Sequence, residues 1–114
     1  MLVDHGEKIY IIVRRNFETE VKRHFIGEII KAEGSLVRLE GYTIIFNTLK
    51  NQFIRKTDSM TKIFDLANSG YIVNIIPSGV SITEIQYMIN KNNQLIVTDS
   101  KNFSLDINEF GPNK

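Results

Sequence analysis

Apolar residues in this chain come in short β-branched or aromatic bursts separated by closely spaced turn clusters, a rhythm that predicts strands rather than helices. The first burst covers residues 8–15 around Ile9-Tyr10-Ile11-Ile12-Val13. A second covers 21–32 and a third 36–47, and the turn Glu33-Gly34-Ser35 between them predicts a long hairpin. Shorter strands are expected over 53–56, over 62–67 ending at Asn68-Ser69-Gly70, and over 71–76 ending at Pro77-Ser78-Gly79. Residues 95–98 and 103–107 predict a last hairpin about Asp99-Ser100-Lys101-Asn102. There Phe103, Leu105 and Ile107 alternate with Ser104, Asp106 and Asn108, the mark of a strand with one wet face.

Residues 80–90 carry two patterns. Ser81-Ile82-Thr83-Glu84 matches a helix capping box, with Ile82, Ile85 and Ile89 on one helical face. Ile85, Tyr87 and Ile89 also alternate with Glu84, Gln86 and Met88, and the β-branched and aromatic content favours the strand.

Glycines interrupt the long segments at Gly27 and Gly41. Before Gly41, Val37 and Leu39 point one way and Arg38 and Glu40 the other; after it, Tyr42-Thr43-Ile44-Ile45-Phe46 no longer sorts onto one apolar face. A glycine where alternation breaks predicts a bulge or a sharp bend, and bent long strands curl a small sheet into a barrel. The expected fold is therefore all-β: a small, strongly bent antiparallel barrel or a sandwich, with at most one short helix. Three runs, 9–13, most of 42–46, and 71–76 apart from Asn74, are apolar on both faces. A small barrel buries one face of each strand, so these runs predict further cover, and with little helix available they predict a homo-oligomer.

Composition narrows the class. With 114 residues and 42% hydrophobic content, the chain suits one domain, 1–114, with a core that needs no staple. Cysteine is absent, which removes disulfides, thiol nucleophiles and Cys-ligated metals. No basic leader precedes an apolar stretch, and no apolar run reaches bilayer length, so a soluble cytoplasmic protein without membrane contact is expected.

Catalytic chemistry finds little to stand on. The two histidines, His5 and His24, are far apart, His24 lies in a predicted strand, and no Gly-x-Ser-x-Gly elbow occurs. Asp99, Asp106 and Glu109 near the last hairpin lack the spacing of a calcium loop and read as solvated turn carboxylates. No glycine-rich phosphate loop is present. Neither an enzyme, nor a cofactor, nor a metal site, nor a small-molecule substrate is expected.

Charge leaves one functional candidate. The net charge of +1 gives no global pull on a polyanion. The charge is uneven, though: residues 1–62 hold eleven bases and eight acids, residues 63–114 three bases and five acids. Three basic pairs, Arg14-Arg15, Lys22-Arg23 and Arg55-Lys56, stand near Phe17, Phe25 and Phe53. A turn over 16–20 would bring the first two together. Basic residues with interleaved aromatics suit single-stranded RNA or DNA, through phosphate contacts and base stacking. Such pairs also serve as solubilising edge charges. Two readings therefore stand: a non-catalytic β-domain acting by self-association or protein interaction, and an oligomeric barrel that binds single-stranded nucleic acid through Arg14, Arg15, Lys22, Arg23, Arg55, Lys56 and Phe53.

One stretch bears on the second reading. Phe25-Ile26-Gly27-Glu28-Ile29, then Glu33, then Leu36-Val37, resembles the first motif of Sm-like proteins, with Gly27 and Glu33 at the motif's spacing and Glu in place of its usual Asp. The resemblance implies an oligomeric small barrel, of SH3/Sm-like general shape, that binds RNA. The Asn of that motif's RNA-contacting turn would fall near Val37 and is missing; no second motif and no terminal Arg/Lys-Gly pair follows.

Overall fold

The computed structural model describes residues 3–14, 22–47, 49–50, 52–68, 70–89, 91–92, 94–101 and 103–107. The strands are β1 (Lys8–Val13), β2 (Arg23–Glu33), β3 (Leu36–Asn47), β4 (Gln52–Arg55), β5 (Met60–Asp65), β6 (Tyr71–Ile76), β7 (Gln86–Ile89), β8 (Leu95–Thr98) and β9 (Ser104–Asp106). No α-helix occurs among the described residues; Ile82–Glu84 forms a single 3₁₀ turn. The protein is all-β, with one strongly curled half-barrel sheet and a smaller second sheet.

The chain divides into two compact units, 1–76 and 77–114. The first holds the six-stranded sheet, ordered β4-β3-β2-β1-β6, with β5 also paired to β3. The β2–β3 hairpin is its spine. β4 and β5 share the outer edge of β3: β4 pairs with Ile44–Asn47 and β5 with Leu36–Gly41. Between them residues 56–59 leave the edge, held by the Lys56 N–H, which donates to the Thr43 carbonyl at 2.9 Å.

Register sorts the side chains onto two faces. The core face carries Ile9 and Ile11 of β1, Phe25 and Ile29 of β2, and Val37 and Leu39 of β3, packed with Val3 into one buried cluster. Val13, Ala32, Phe64, Leu66, Tyr71 and Val73 close around it. The second face carries Tyr10 and Ile12, Ile26 and His24, and Ile44, all buried as well. β1 is thus central, flanked by β2 and β6, and Ile9 to Ile12 are at most 5% exposed within a single chain. Both faces of β1 are therefore covered within one chain.

The two glycines that interrupt the long strands meet within this strongly curled sheet. Gly27 and Gly41 face each other across β2 and β3. A Cβ on Gly41 would stand 1.9 Å from the Ile26 carbonyl oxygen and 2.5 Å from the Gly27 Cα, so the two backbones touch where side chains would separate them. The break in register lies three residues beyond Gly27, between Ile29 and Lys31. The extra residue, Ile30, moves the core-facing set from Ile29 to Ala32, which keeps both against the core cluster.

The second unit is an antiparallel sheet ordered β7-β8-β9. Region 80–90 divides between its two patterns, with a 3₁₀ turn followed by the strand β7. Ser81 makes no capping bond; its hydroxyl meets that of Thr83 at 2.8 Å, and Ile85 is already extended. In the β8–β9 hairpin the Asp99 carboxylate accepts from the Lys101 and Phe103 N–H groups, at 2.9 and 3.0 Å. The Thr98 hydroxyl donates to the Phe103 carbonyl at 2.6 Å and accepts from the Ser100 N–H at 2.9 Å. Asp99 is therefore a buried turn anchor rather than a solvated carboxylate. Along β9, Phe103, Leu105 and Ile107 alternate with the exposed Ser104 and Asp106 as their sequence predicts.

Candidate nucleic-acid interface

Antiparallel pairing brings the last residues of β1 and β3 beside the first residues of β2 and β4. Arg14, Lys22, Arg23, Phe53, Arg55 and Lys56 therefore gather at one end of the six-stranded sheet. Arg15 lies outside the described residues, as does the connection 16–20.

Register then divides the gathered residues by face. Val13 pairs with Arg23, so the next row sets Arg14 opposite Lys22. Phe46 N–H donates to the Lys22 carbonyl at 3.0 Å, and Phe46 pairs with Phe53. Arg14, Lys22, Phe46 and Phe53 thus form one cross-strand row on the second face. The next row of that face runs Ile12, His24, Ile44, Arg55. Arg23 belongs to the core-face row with Val13, Ile45 and Ile54, and Lys56 to that of Phe25 and Thr43. Sequence adjacency separates Lys22 from Arg23 and Arg55 from Lys56, because neighbours in a strand point to opposite faces.

The second-face cations lie against rings. The Lys22 Nζ stands 5.6 Å from the Phe46 centroid, and the Arg55 guanidinium carbon 4.6 Å from that of Tyr42. Phe53 stacks on His24 at 4.9 Å with 26° between planes, and meets Phe46 edge-on at 5.2 Å. Tyr42, Phe46, Phe53, Lys22 and Arg55 are all half-buried, Arg14 exposed. Beyond them the β3–β4 hairpin ends in Leu49 and Lys50, whose N–H groups donate to the Asn47 side-chain oxygen at 2.9 and 3.1 Å.

His24 is the floor of this arrangement. It is 2% exposed, and its Nδ1 shares a hydrogen bond with the Tyr10 hydroxyl. Burial, and secondarily the charge of Lys22, push its pKa down to about 4. The neutral imidazole, stacked against Phe53, supports the aromatic row. Among the described residues, no group of three or more His, Asp or Glu side chains is placed to hold a metal ion.

Acids are sparse at this end. The described stretches that form it, 12–14, 22–25, 43–47, 49–50 and 52–58, contain one, Asp58, against Arg14, Lys22, Arg23, Lys50, Arg55 and Lys56. The connection 15–21 adds Arg15, Glu18 and Glu20 in sequence.

Tyr42 and Phe46 did not stand out in the sequence, since neither adjoins a basic pair. Their signal is the register itself. Conversely, Val37, nearest to the RNA-contacting position implied by the Sm-like resemblance, is 1% exposed within the core cluster, at the other end of β3. Compared with protein-family models, with curated proteins and with solved structures, the chain finds no match in any of the three.

Proposed function

We propose that this protein binds single-stranded nucleic acid at the basic end of its larger sheet. One observation carries the reading: Arg14, Lys22 and Arg55 share a face with Tyr42, Phe46 and Phe53 in adjacent cross-strand rows. Phosphates would meet the cations and bases the half-exposed rings, the division of labour of non-sequence-specific single-strand grooves. With a net charge of only +1, attraction is confined to this patch, so affinity is modest and strongly salt-dependent.

The test is titration of a labelled oligo-deoxythymidine and its uridine counterpart at about 50 and 200 mM salt. Binding that weakens as salt rises is expected, and no binding at the lower salt removes the reading. Face assignment adds a sharper control. Arg55→Ala should weaken binding and flatten the salt slope by about one phosphate's worth. Lys56→Ala, one residue on but on the opposite face, should do so less. Equal binding of heparin and of the oligonucleotides, with no loss in Phe53→Leu, would reduce the site to a general polyanion patch.

A further inference from the structure

Independently of the basic end, we propose that β5 is the contact through which two copies of this chain pair, antiparallel about a twofold axis at Ile63. β5 is an edge strand: among the described residues its one partner in the sheet is β3. The Leu66 N–H donates to the Ser35 carbonyl, which fixes the phase of that ladder. Phe64, Lys62 and Met60 turn their backbone groups to β3, and Thr61, Ile63 and Asp65 turn theirs outward.

Edge strands are normally guarded by charge, especially lysine. Both charged residues of β5 are turned to other uses. Lys62 lies on the core face with its Nζ 5.7 Å from the Phe25 centroid. The Asp65 carboxylate accepts from the Ser35 hydroxyl at 2.7 Å and the Ala67 N–H at 3.0 Å. What remains outermost on the strand is uncharged, Thr61 with the apolar Met60 and Ile63, and Ile63 stands opposite the exposed Arg38 of β3. Ile63 is 64% exposed, Met60 45%, and Leu36 on the neighbouring strand 49%. β6, the opposite edge, exposes only Ile75 strongly.

The occupant follows from register. A strand added to β5 must match both its outward hydrogen-bond phase and its alternation of faces. In antiparallel self-pairing, a twofold axis normal to the sheet keeps like faces together and lets outward residues meet outward residues. Centred at Ile63, the arrangement sets Ile63 opposite the other copy's Ile63 and Thr61 opposite its Asp65. Ile63 N–H groups donate to Ile63 carbonyls, and Asp65 N–H groups to Thr61 carbonyls, across the axis. A centre at Lys62 would oppose two lysines directly, and one at Phe64 would set Ile63 against Asp65. A strand of six residues buries less than a stable interface of roughly 1,000 Å² needs, so the dimer is weak and concentration-dependent.

The absence of cysteine makes the test clean. Residues opposed in a hydrogen-bonded antiparallel pair have Cα atoms about 5.5 Å apart, within disulfide reach. Ile63→Cys in the full chain should form a disulfide dimer on mild oxidation. Thr61→Cys, roughly 14 Å from its own copy in this register, should stay monomeric. Sedimentation of the unmodified chain from low to several hundred micromolar should show the mass rising from 13.1 kDa towards twice that value. Ile63→Pro removes an outward N–H and leaves the β3 ladder intact. It should hold the chain monomeric, with unchanged far-ultraviolet circular dichroism. A monomer at every concentration, equal cross-linking at 61 and 63, or a folded Ile63→Pro chain that dimerises as before overturns the proposal.

Discussion

The two ends of the six-stranded sheet share the same two long strands and use them for opposite purposes. At the end that turns through Gly34 and Ser35, charges of both signs are interleaved. Lys8 stands opposite Glu28 in register, Lys31 reaches Glu33 at 3.3 Å, and the Ser35 hydroxyl holds Asp65. The bulge at Ile30 lies in this half, and the contact of Gly27 with Gly41 stands where the halves meet. Among the described residues of the other end no register shift interrupts the β2–β3 pairing, cations outnumber acids, and rings lie against the cations. One end specifies the sheet's geometry, and the other carries the proposed nucleic-acid site. Substitutions should therefore separate: stability changes large at the first end, binding changes at the second.

The largest effect is expected at the glycine contact. Gly41→Ala forces a methyl against the Ile26 carbonyl, an obstacle made of backbone that cannot swing away. The loss should exceed about 3 kcal/mol in urea denaturation. Gly27→Ala meets the Phe25 ring edge at 2.9 Å and the Glu40 carbonyl oxygen at 3.0 Å. The ring can shift, so about 1–2 kcal/mol is expected. Gly79→Ala has nothing within 4 Å and serves as the reference. If Gly41→Ala costs no more than the reference, the two strands do not touch at this row.

Beneath the basic end, His24 makes stability depend on pH. Its folded pKa, about 4, is depressed from the ordinary 6.5, so the unfolded chain binds the proton more readily. The stabilisation is complete above pH 6.5 and is lost as pH falls through 6.5 towards 4. A shift of that size corresponds to roughly 3.5 kcal/mol as an upper bound. Denaturation midpoints measured at pH 7, 6, 5 and about 4.5 should fall for the native chain. His24→Phe, less stable at pH 7 for want of the Tyr10 bond, should show a flatter profile over that window. Parallel profiles would mean that His24 is hydrated and protonated like any surface histidine.

How much of this was legible beforehand depends on distance from Ile30. β1, β3 and β6 were readable from their β-branched runs, and β6 and β3 begin and end where those runs do. The gathering of the basic pairs at one end also follows from hairpin connectivity alone. Which ring each cation meets was not readable. Counting outward from the turn without a bulge sets Lys22 opposite Asn47 and exchanges the faces of every residue before Ile29. With Ile30 extruded, Lys22 meets Phe46. Nothing in Ile29-Ile30-Lys31 marks one of two equivalent isoleucines as the extra residue; the choice is made by packing, since it returns Ala32 to the core. The two-sided apolar run of β1 predicts cover on both faces, and Ile9 to Ile12 find it within one chain, at most 5% exposed; which layer supplies that cover is not written in the run itself.

A moderate effect is expected from Arg55→Ala, which removes the guanidinium from over Tyr42. Half-exposed cation–π contacts contribute about 0.5–1 kcal/mol, so stability should fall by no more than that. Oligonucleotide affinity should fall further in proportion. If stability falls while binding at low salt holds, Arg55 belongs with the geometry-setting half, and the division between the ends fails at that residue.

The smallest effect tests the division from the other side. Lys31 forms an ion pair with Glu33, and the two side chains are 61% and 71% exposed. Pairs so exposed are screened by solvent and typically contribute less than about 0.5 kcal/mol. Lys31→Ala should therefore leave the denaturation midpoint nearly unchanged. It removes the same formal charge as Lys22→Ala, from the same strand system, with the same effect on net charge. If a polyanion responds to the chain's overall charge, the two variants will weaken binding equally and share one salt slope. If it responds to the rows at the basic end, Lys22→Ala alone will lower affinity and flatten the slope, and Lys31→Ala will bind as the native chain does. Two lysines with equal charge and unequal surroundings thus decide whether placement within the sheet, rather than composition, gives this protein its ligand.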